Sequence, residues 1–142
     1  MKISVIVPTY QRPPDLVRCL TAFKLQVRPV DELWLIVRDT DLATWQFLET
    51  FDREALPLQI ATVTASGVIA AMNIGLESVT GDIVAFTDDD AAPHPDWLEK
   101  IEAYYLADDK IGGVGGRDWV YHGSRLEDGA RPLVGKLQWF GR

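Results

Sequence analysis

The chain has 142 residues, 47% of them hydrophobic, and carries a formal net charge of −7. That length fits one domain with a sizeable core. The acidic balance argues against a general binder of nucleic acid or anionic membrane, which needs a basic surface to neutralise phosphates, but it permits a small phosphate ligand whose charge is balanced by a metal.

Strand-like and helix-like segments alternate along the chain. Ile3 to Val7 is a β-branched apolar run stopped by Pro8, so it reads as a short buried strand rather than a helix. The same run is far below membrane-spanning length, and no signal peptide or transmembrane helix is expected. Pro13 and Pro14 suit the first turn of a helix whose inward stripe is Leu16, Val17, Leu20, Phe23 and Leu25. Cys19, the single cysteine, falls inside this segment. It cannot form an internal disulfide and reads as a buried structural thiol in a reducing, cytoplasmic compartment, which admits a peripheral position at the cytoplasmic face of a membrane.

Leu33 to Val37 reads as a second strand ending at "RDTD", and Leu42 to Phe51 as a second helix. A third strand is expected at Leu58 to Val63, then a helix from about Ser66 to Ser78 with Ser66 as its cap. Ile83 to Phe86 makes a fourth strand. Pro93 and Pro95 lead into a helix from Asp96 to about Leu106, whose first turn is acidic and whose Trp97 reads as a core anchor. "IGGVGG" turns toward a last strand, Val114 to Tyr121.

This order predicts an α/β fold: an open, mainly parallel sheet with helices on both faces. Such sheets bind ligands outside the carboxyl ends of their strands, beside a topological switch. Thr9, Tyr10 and Gln11 follow the first strand, Asp39 and Asp41 the second, and Asp88, Asp89 and Asp90 the fourth. All three groups therefore fall at strand ends where they can converge.

The triple aspartate is the most demanding feature. Two unit charges about 4 Å apart repel by about 1 kcal/mol in bulk water and about 4 kcal/mol at an effective dielectric near 20. Crowding them in a shielded crevice calls for a cation, and Mg²⁺ or Mn²⁺ commonly takes one or two carboxylates plus substrate phosphate oxygens. The cluster thus has the composition of half a metal site completed by a diphosphate. The plainer alternative is a solvated acidic turn.

"SVIVPTYQR", "LIVRDTD", "AAMNIGLESVTGDIVAFTDDDAAPHPDWL" and "GGVGGRD", in that order and covering about Lys2 to Asp118, resemble the family 2 glycosyltransferases of the GT-A fold. The resemblance implies a Rossmann-like nucleotide-diphospho-sugar domain, a divalent cation (Mn²⁺ or Mg²⁺) on a DxD-type motif, and inverting transfer of a hexose to an acceptor hydroxyl. It implies that Pro8, Thr9 and Tyr10 line the base and ribose pocket, with ordinary packing as the other reading of Tyr10. Asp39 would accept hydrogen bonds from the base, a helix N-cap being its other reading. Asp88 would lie near the ribose and metal, Asp90 would be the main metal ligand, and Asp89 would lie between them on the donor. Asn73 and Gly75 of "MNIG" would pack close to the donor, or serve helix packing alone.

Two positions depart from the family pattern. Arg38 stands before Asp39, where a second acidic residue is frequent, and Met72 replaces a frequent basic residue. Family members continue for roughly another 100 residues. The resemblance therefore implies one nucleotide-sugar-binding domain over 1–142, with 119–142 the incomplete start of an acceptor-binding half and the catalytic base beyond Arg142. Glu127 or Asp128 could be that base or a solvated loop pair. Arg117 could contact phosphate. His94 and His122 read as surface residues.

The expected partners are a nucleotide-diphosphate sugar donor and a saccharide, lipid or protein acceptor, with no nucleic acid; exopolysaccharide or envelope assembly is the process suggested. The alternative is a non-catalytic nucleotide-sugar-binding module or an inactive fragment. A phosphoacceptor receiver domain and an aspartate-based phosphatase would place their acidic cluster after the first strand, where "PTYQR" stands. A calcium loop at "DTDLAT" lacks the glycine of its sixth position. A sugar nucleotidyltransferase would show a glycine-rich basic loop near the start, which "TYQRPPDL" lacks.

Overall fold

A computed structural model describes residues 1–53, 56–117, 119–122 and 125–128. The chain divides into two units, Met1–Ala107 and Asp108–Arg142. In the first, β1 (Ile3–Thr9), β2 (Glu32–Arg38), β3 (Leu58–Val63) and β4 (Ile83–Phe86) alternate with α1 (Pro13–Lys24), α2 (Leu42–Thr50), α3 (Val68–Ser78) and α4 (Trp97–Ala107). The strands form one parallel sheet in the order β3-β2-β1-β4. From β1 the chain builds outward to β3, then returns to lay β4 on the other side of β1. The order reverses there, and the switch point lies between β1 and β4.

β1 is buried along its whole length, as a central strand covered on both faces must be. Ile3, Val5 and Val7 face one core with Leu33, Leu35 and Val37 of β2, covered by Leu16, Cys19, Leu20 and Phe23 of α1, Leu48 of α2 and Leu98 of α4. Ile6, Ile36 and Val63 face the other core, against Ala71 of α3. Helices thus cover both faces, as the alternation implied. The α1 stripe has helical spacing, but Val17 and Leu25 do not belong to it; they are 41% and 64% exposed. Val17 lies about 100° around the helix from Leu16, and Leu25 is the C-cap, beyond the last helical residue.

Three further expectations are revised. Pro8 does not end β1, which runs to Thr9. The Ile6 carbonyl accepts from the Thr87 amide on the β4 side. Pro8, two residues on, faces the same way beyond the end of β4, so its missing N–H costs no ladder bond. The α3 cap is Gly67, at φ 104, rather than Ser66. Finally, Val114 to Tyr121 is not one strand of the main sheet. Residues 111–117 carry no regular structure, and β5 (Trp119–His122) pairs antiparallel with β6 (Arg125–Asp128) in a separate ribbon.

Gly75 shows how tightly α3 sits on the sheet. A Cβ there would lie 2.5 Å from Cγ2 of the buried Ile6. Trp97 packs against the α1 face, edge-on to Phe23 with ring centroids 6.2 Å apart.

Candidate functional site

The carboxyl ends of β1 and β4 frame an open crevice of about 600 Å³. Pro8, Thr9, Tyr10 and Arg12 form one wall; Asp88, Asp89 and Asp90 form another; Arg38, Val63 and the segment Ala65 to Val68 with Ala71 complete it. Its volume falls within the usual range for small-molecule sites.

The acidic residues occupy a turn closed by the Ala91 amide, which donates to the Asp88 carbonyl at 3.2 Å. Their side chains have different fates. Asp89 is 5% exposed and accepts a hydrogen bond from Thr9 Oγ1 at 2.7 Å, which ties the two sides of the switch point together. Burial pushes its carboxyl up from the ordinary value, against the opposing pull of the Thr9 hydroxyl, the Arg12 guanidinium and the Tyr10 amide. Asp88 and Asp90 are exposed. Arg12 Nη1 donates to Asp90 Oδ2 at 2.9 Å and lies 3.4 Å from Asp89 Oδ1. Arg18 Nη2 donates to the Asp90 carbonyl at 2.7 Å. Part of the counter-charge that the aspartates demand is therefore supplied by the chain itself.

Cys19 lies directly beneath this turn, fully buried, with its thiol 3.6 Å from the Asp88 carbonyl. Burial pushes its pKa up to about 12, and Asp89 adds to the shift. A thiol held protonated in this way is a packing residue, not a nucleophile.

Asp41 has a role that the sequence pattern did not show. Fully buried, it caps α2 by accepting from the Thr44 amide at 3.2 Å and hydroxyl at 2.6 Å. It also accepts the Gln11 amide at 2.7 Å. Gln11 has φ 55, and this bond holds the loop carrying Tyr10 and Arg12 in that left-handed turn. The α2 cap is thus Asp41 and not Asp39. Asp39 is exposed; it accepts from the Thr40 amide at 2.9 Å and from Arg38 Nε at 3.3 Å.

Pro8, Thr9, Tyr10, Asp88, Asp89 and Asp90 all line the crevice. Asp39 stands just outside it, beside Arg38, which does line it. Asn73 lies exposed on α3 outside the lining. Gly75 is explained by its contact with Ile6. Glu127 and Asp128 fall in β6, whose side chains lie outside the described residues, as does Asp118. Arg12 and the amino end of α3 carry only faint signals in the sequence, a basic residue next to the helix-starting prolines and a glycine before an apolar helix. That helix end has no side-chain cap, so its N–H groups can receive an anion.

Among the described residues, no three His, Cys, Asp or Glu side chains gather into a complete metal cage. Asp88 and Asp90 do fit a hard divalent ion that draws its other ligands from a bound phosphate, since such ions commonly use only one or two carboxylates. No described helix is long and apolar enough to cross a membrane.

A parallel sheet with helices on both faces and a polar crevice at its switch point is the ligand-binding architecture of open α/β proteins. The sequence profile of Glycosyl transferase family 2 matches residues 4–137. Glycosyltransferase AglE of Haloferax volcanii is 32% identical over 104 residues, 69% of this chain and 33% of that protein. Among solved structures, S. aureus TarS 1-349 in complex with UDP-GlcNAc superposes with a TM-score of 0.63 at 28% identity, covering 83% of this chain and 36% of that one. The mannosyltransferase PcManGT from Pyrobaculum calidifontis, in complex with GDP-Man and Mn2+, gives 0.61 at 34% identity over 78% and 34% of the two chains. This chain belongs to glycosyl transferase family 2, with the GT-A fold, and spans 33% to 40% of the length of the curated relatives it matches.

Proposed function

We propose that the chain is the donor-binding part of a metal-dependent, inverting hexosyltransferase that moves a sugar from a nucleotide diphosphate to an acceptor hydroxyl. One observation carries the reading: Pro8, Thr9 and Tyr10 after β1 and Asp88, Asp89 and Asp90 after β4 line a single crevice at the switch point. The complexes of TarS with UDP-GlcNAc and of PcManGT with GDP-Man and Mn2+ support a nucleotide sugar as the ligand.

In this reading Pro8, Thr9 and Tyr10 receive the nucleoside, and Asp39, at the crevice margin, accepts hydrogen bonds from the base. Asp88 and Asp90 would hold Mn²⁺ or Mg²⁺, which supplies Lewis-acid stabilisation of the charge on the departing nucleotide. Asp89 fixes the turn that presents them, through Thr9. Arg38 and the uncapped amino end of α3 provide positive potential for the diphosphate.

Calorimetric titration with UDP and with GDP, each with and without Mn²⁺, tests this reading. Saturable binding that needs Mn²⁺ is expected; its absence from a folded sample overturns the proposal. Slow donor hydrolysis in the same sample would separate an enzyme from a binding module.

A further inference from the structure

We infer that Arg12 is a displaceable counter-ion for the acidic turn, and that a divalent cation engages Asp90 only by taking it from Arg12. This rests on the reading above that a divalent ion binds at Asp88 and Asp90. The two carboxylates that Arg12 touches are held very differently. Asp89 is 6% exposed at its side chain and is fixed by Thr9, whereas Arg12 and Asp90 are 53% and 52% exposed. A solvent-exposed ion pair of this kind is weak, so a doubly charged ion can break it at small cost.

The surroundings are arranged so that the exchange leaves the turn in place. Arg18 holds the Asp90 carbonyl from the next turn of α1, and Thr9 holds Asp89. Neither contact involves the Asp90 side chain. Arg12 itself is the N-cap residue of α1 and lines the crevice, so after release its guanidinium stays where a diphosphate would lie. A planar guanidinium suits bidentate bonding to phosphate oxygens. Metal and Arg12 therefore compete for Asp90 in the absence of nucleotide, and a nucleoside diphosphate ends the competition by giving Arg12 a new partner. Nucleotide and metal then strengthen each other's binding, as linkage requires.

Electron paramagnetic resonance of free Mn²⁺ reads this out directly, with Mn²⁺ alone and with UDP or GDP added, on the wild-type chain and on Arg12→Gln, Arg12→Lys and Asp90→Asn. Arg12→Gln should bind Mn²⁺ alone more tightly, by roughly tenfold, because a like charge beside the site is gone. Arg12→Lys should stay near wild type, and the gain in Mn²⁺ affinity on adding the diphosphate should shrink in Arg12→Gln. If Asp90→Asn abolishes Mn²⁺ binding while Arg12→Gln leaves it unchanged or weaker, the counter-ion role is wrong and the metal site stands. If Asp90→Asn leaves Mn²⁺ binding intact, the metal site itself is wrong. Melting temperatures of all four proteins confirm that each is folded.

Discussion

The two ends of the same four strands use the same residue types in opposite ways. At the amino ends, Glu32 is 4% exposed and its lone pairs are filled from within: it accepts from the Ser4 hydroxyl, from the Thr80 amide at 2.9 Å and from the Thr80 hydroxyl at 3.2 Å. Ser4 in turn accepts the Gly81 amide at 2.9 Å, and a Cβ on Gly81 would fall 2.9 Å from the Lys2 carbonyl. Burial pushes the Glu32 carboxyl up, but the Ser4 and Thr80 bonds, with Lys2 nearby, outweigh it and bring its pKa to about 2. At the carboxyl ends, Asp88 and Asp90 face an open crevice, and Asp89 is pushed the other way by its burial. A carboxylate whose partners are all intramolecular builds the fold. One left facing solvent beside a switch point is available to a ligand.

Substitutions at the two ends should therefore separate stability from binding. Glu32→Ala strands the buried Ser4 hydroxyl and removes the acceptor of the part-buried Thr80 amide, and should cost about 3 kcal/mol in urea denaturation. The matching pH effect follows from the sign of the shift. Because the folded pKa lies below the ordinary 4.5, the stabilisation is complete above about 4.5 and is lost as pH falls toward 2. The stability gap between wild type and Glu32→Gln should accordingly narrow over that window. Asp41→Ala removes the α2 cap and the acceptor of the Gln11 amide, for about 2 kcal/mol by the same measurement. Since that amide organises the Tyr10–Arg12 loop, nucleotide affinity should fall too, so Asp41 serves both ends of the comparison. Gly75→Ala overpacks Ile6 and should cost about 1–2 kcal/mol while leaving binding intact. Asp90→Asn breaks only an exposed pair with Arg12 and should change stability by less than about 0.5 kcal/mol.

The sequence made the elements legible because each is short, periodic and punctuated by Pro, Gly or Asp. β1 to β4 and α1 to α4 fall within a few residues of the expected spans. Strand order was not legible, since hydrophobic periodicity says which residues are buried and nothing about which strand lies beside which. That order is what makes Thr9 and Asp89, 80 residues apart, hydrogen-bonded neighbours. Local polar chemistry was ambiguous for a related reason: Asp39 and Asp41 follow the same strand, and only the fold shows that the second is buried as cap and loop anchor while the first is exposed. Arg12 escaped notice because an arginine before a helix looks like surface until its carboxylate partners are placed beside it. The last expected strand failed at its start, where the exposed Gly115 and Gly116 supply no apolar side chains to pack.

If the carboxyl-end aspartates join a divalent ion to a nucleotide diphosphate, UDP or GDP with Mn²⁺ should stabilise the wild-type chain against heat far more than Asp90→Asn. Saturating ligand, at about 100 times its Kd, should stabilise the wild-type chain by about 2.7 kcal/mol. In Asp90→Asn the Mn²⁺-dependent part of that stabilisation should vanish while the unliganded melting temperature stays the same. An undiminished Mn²⁺-dependent shift in Asp90→Asn would mean that Asp90 holds no metal and that the aspartates do not join ion to nucleotide.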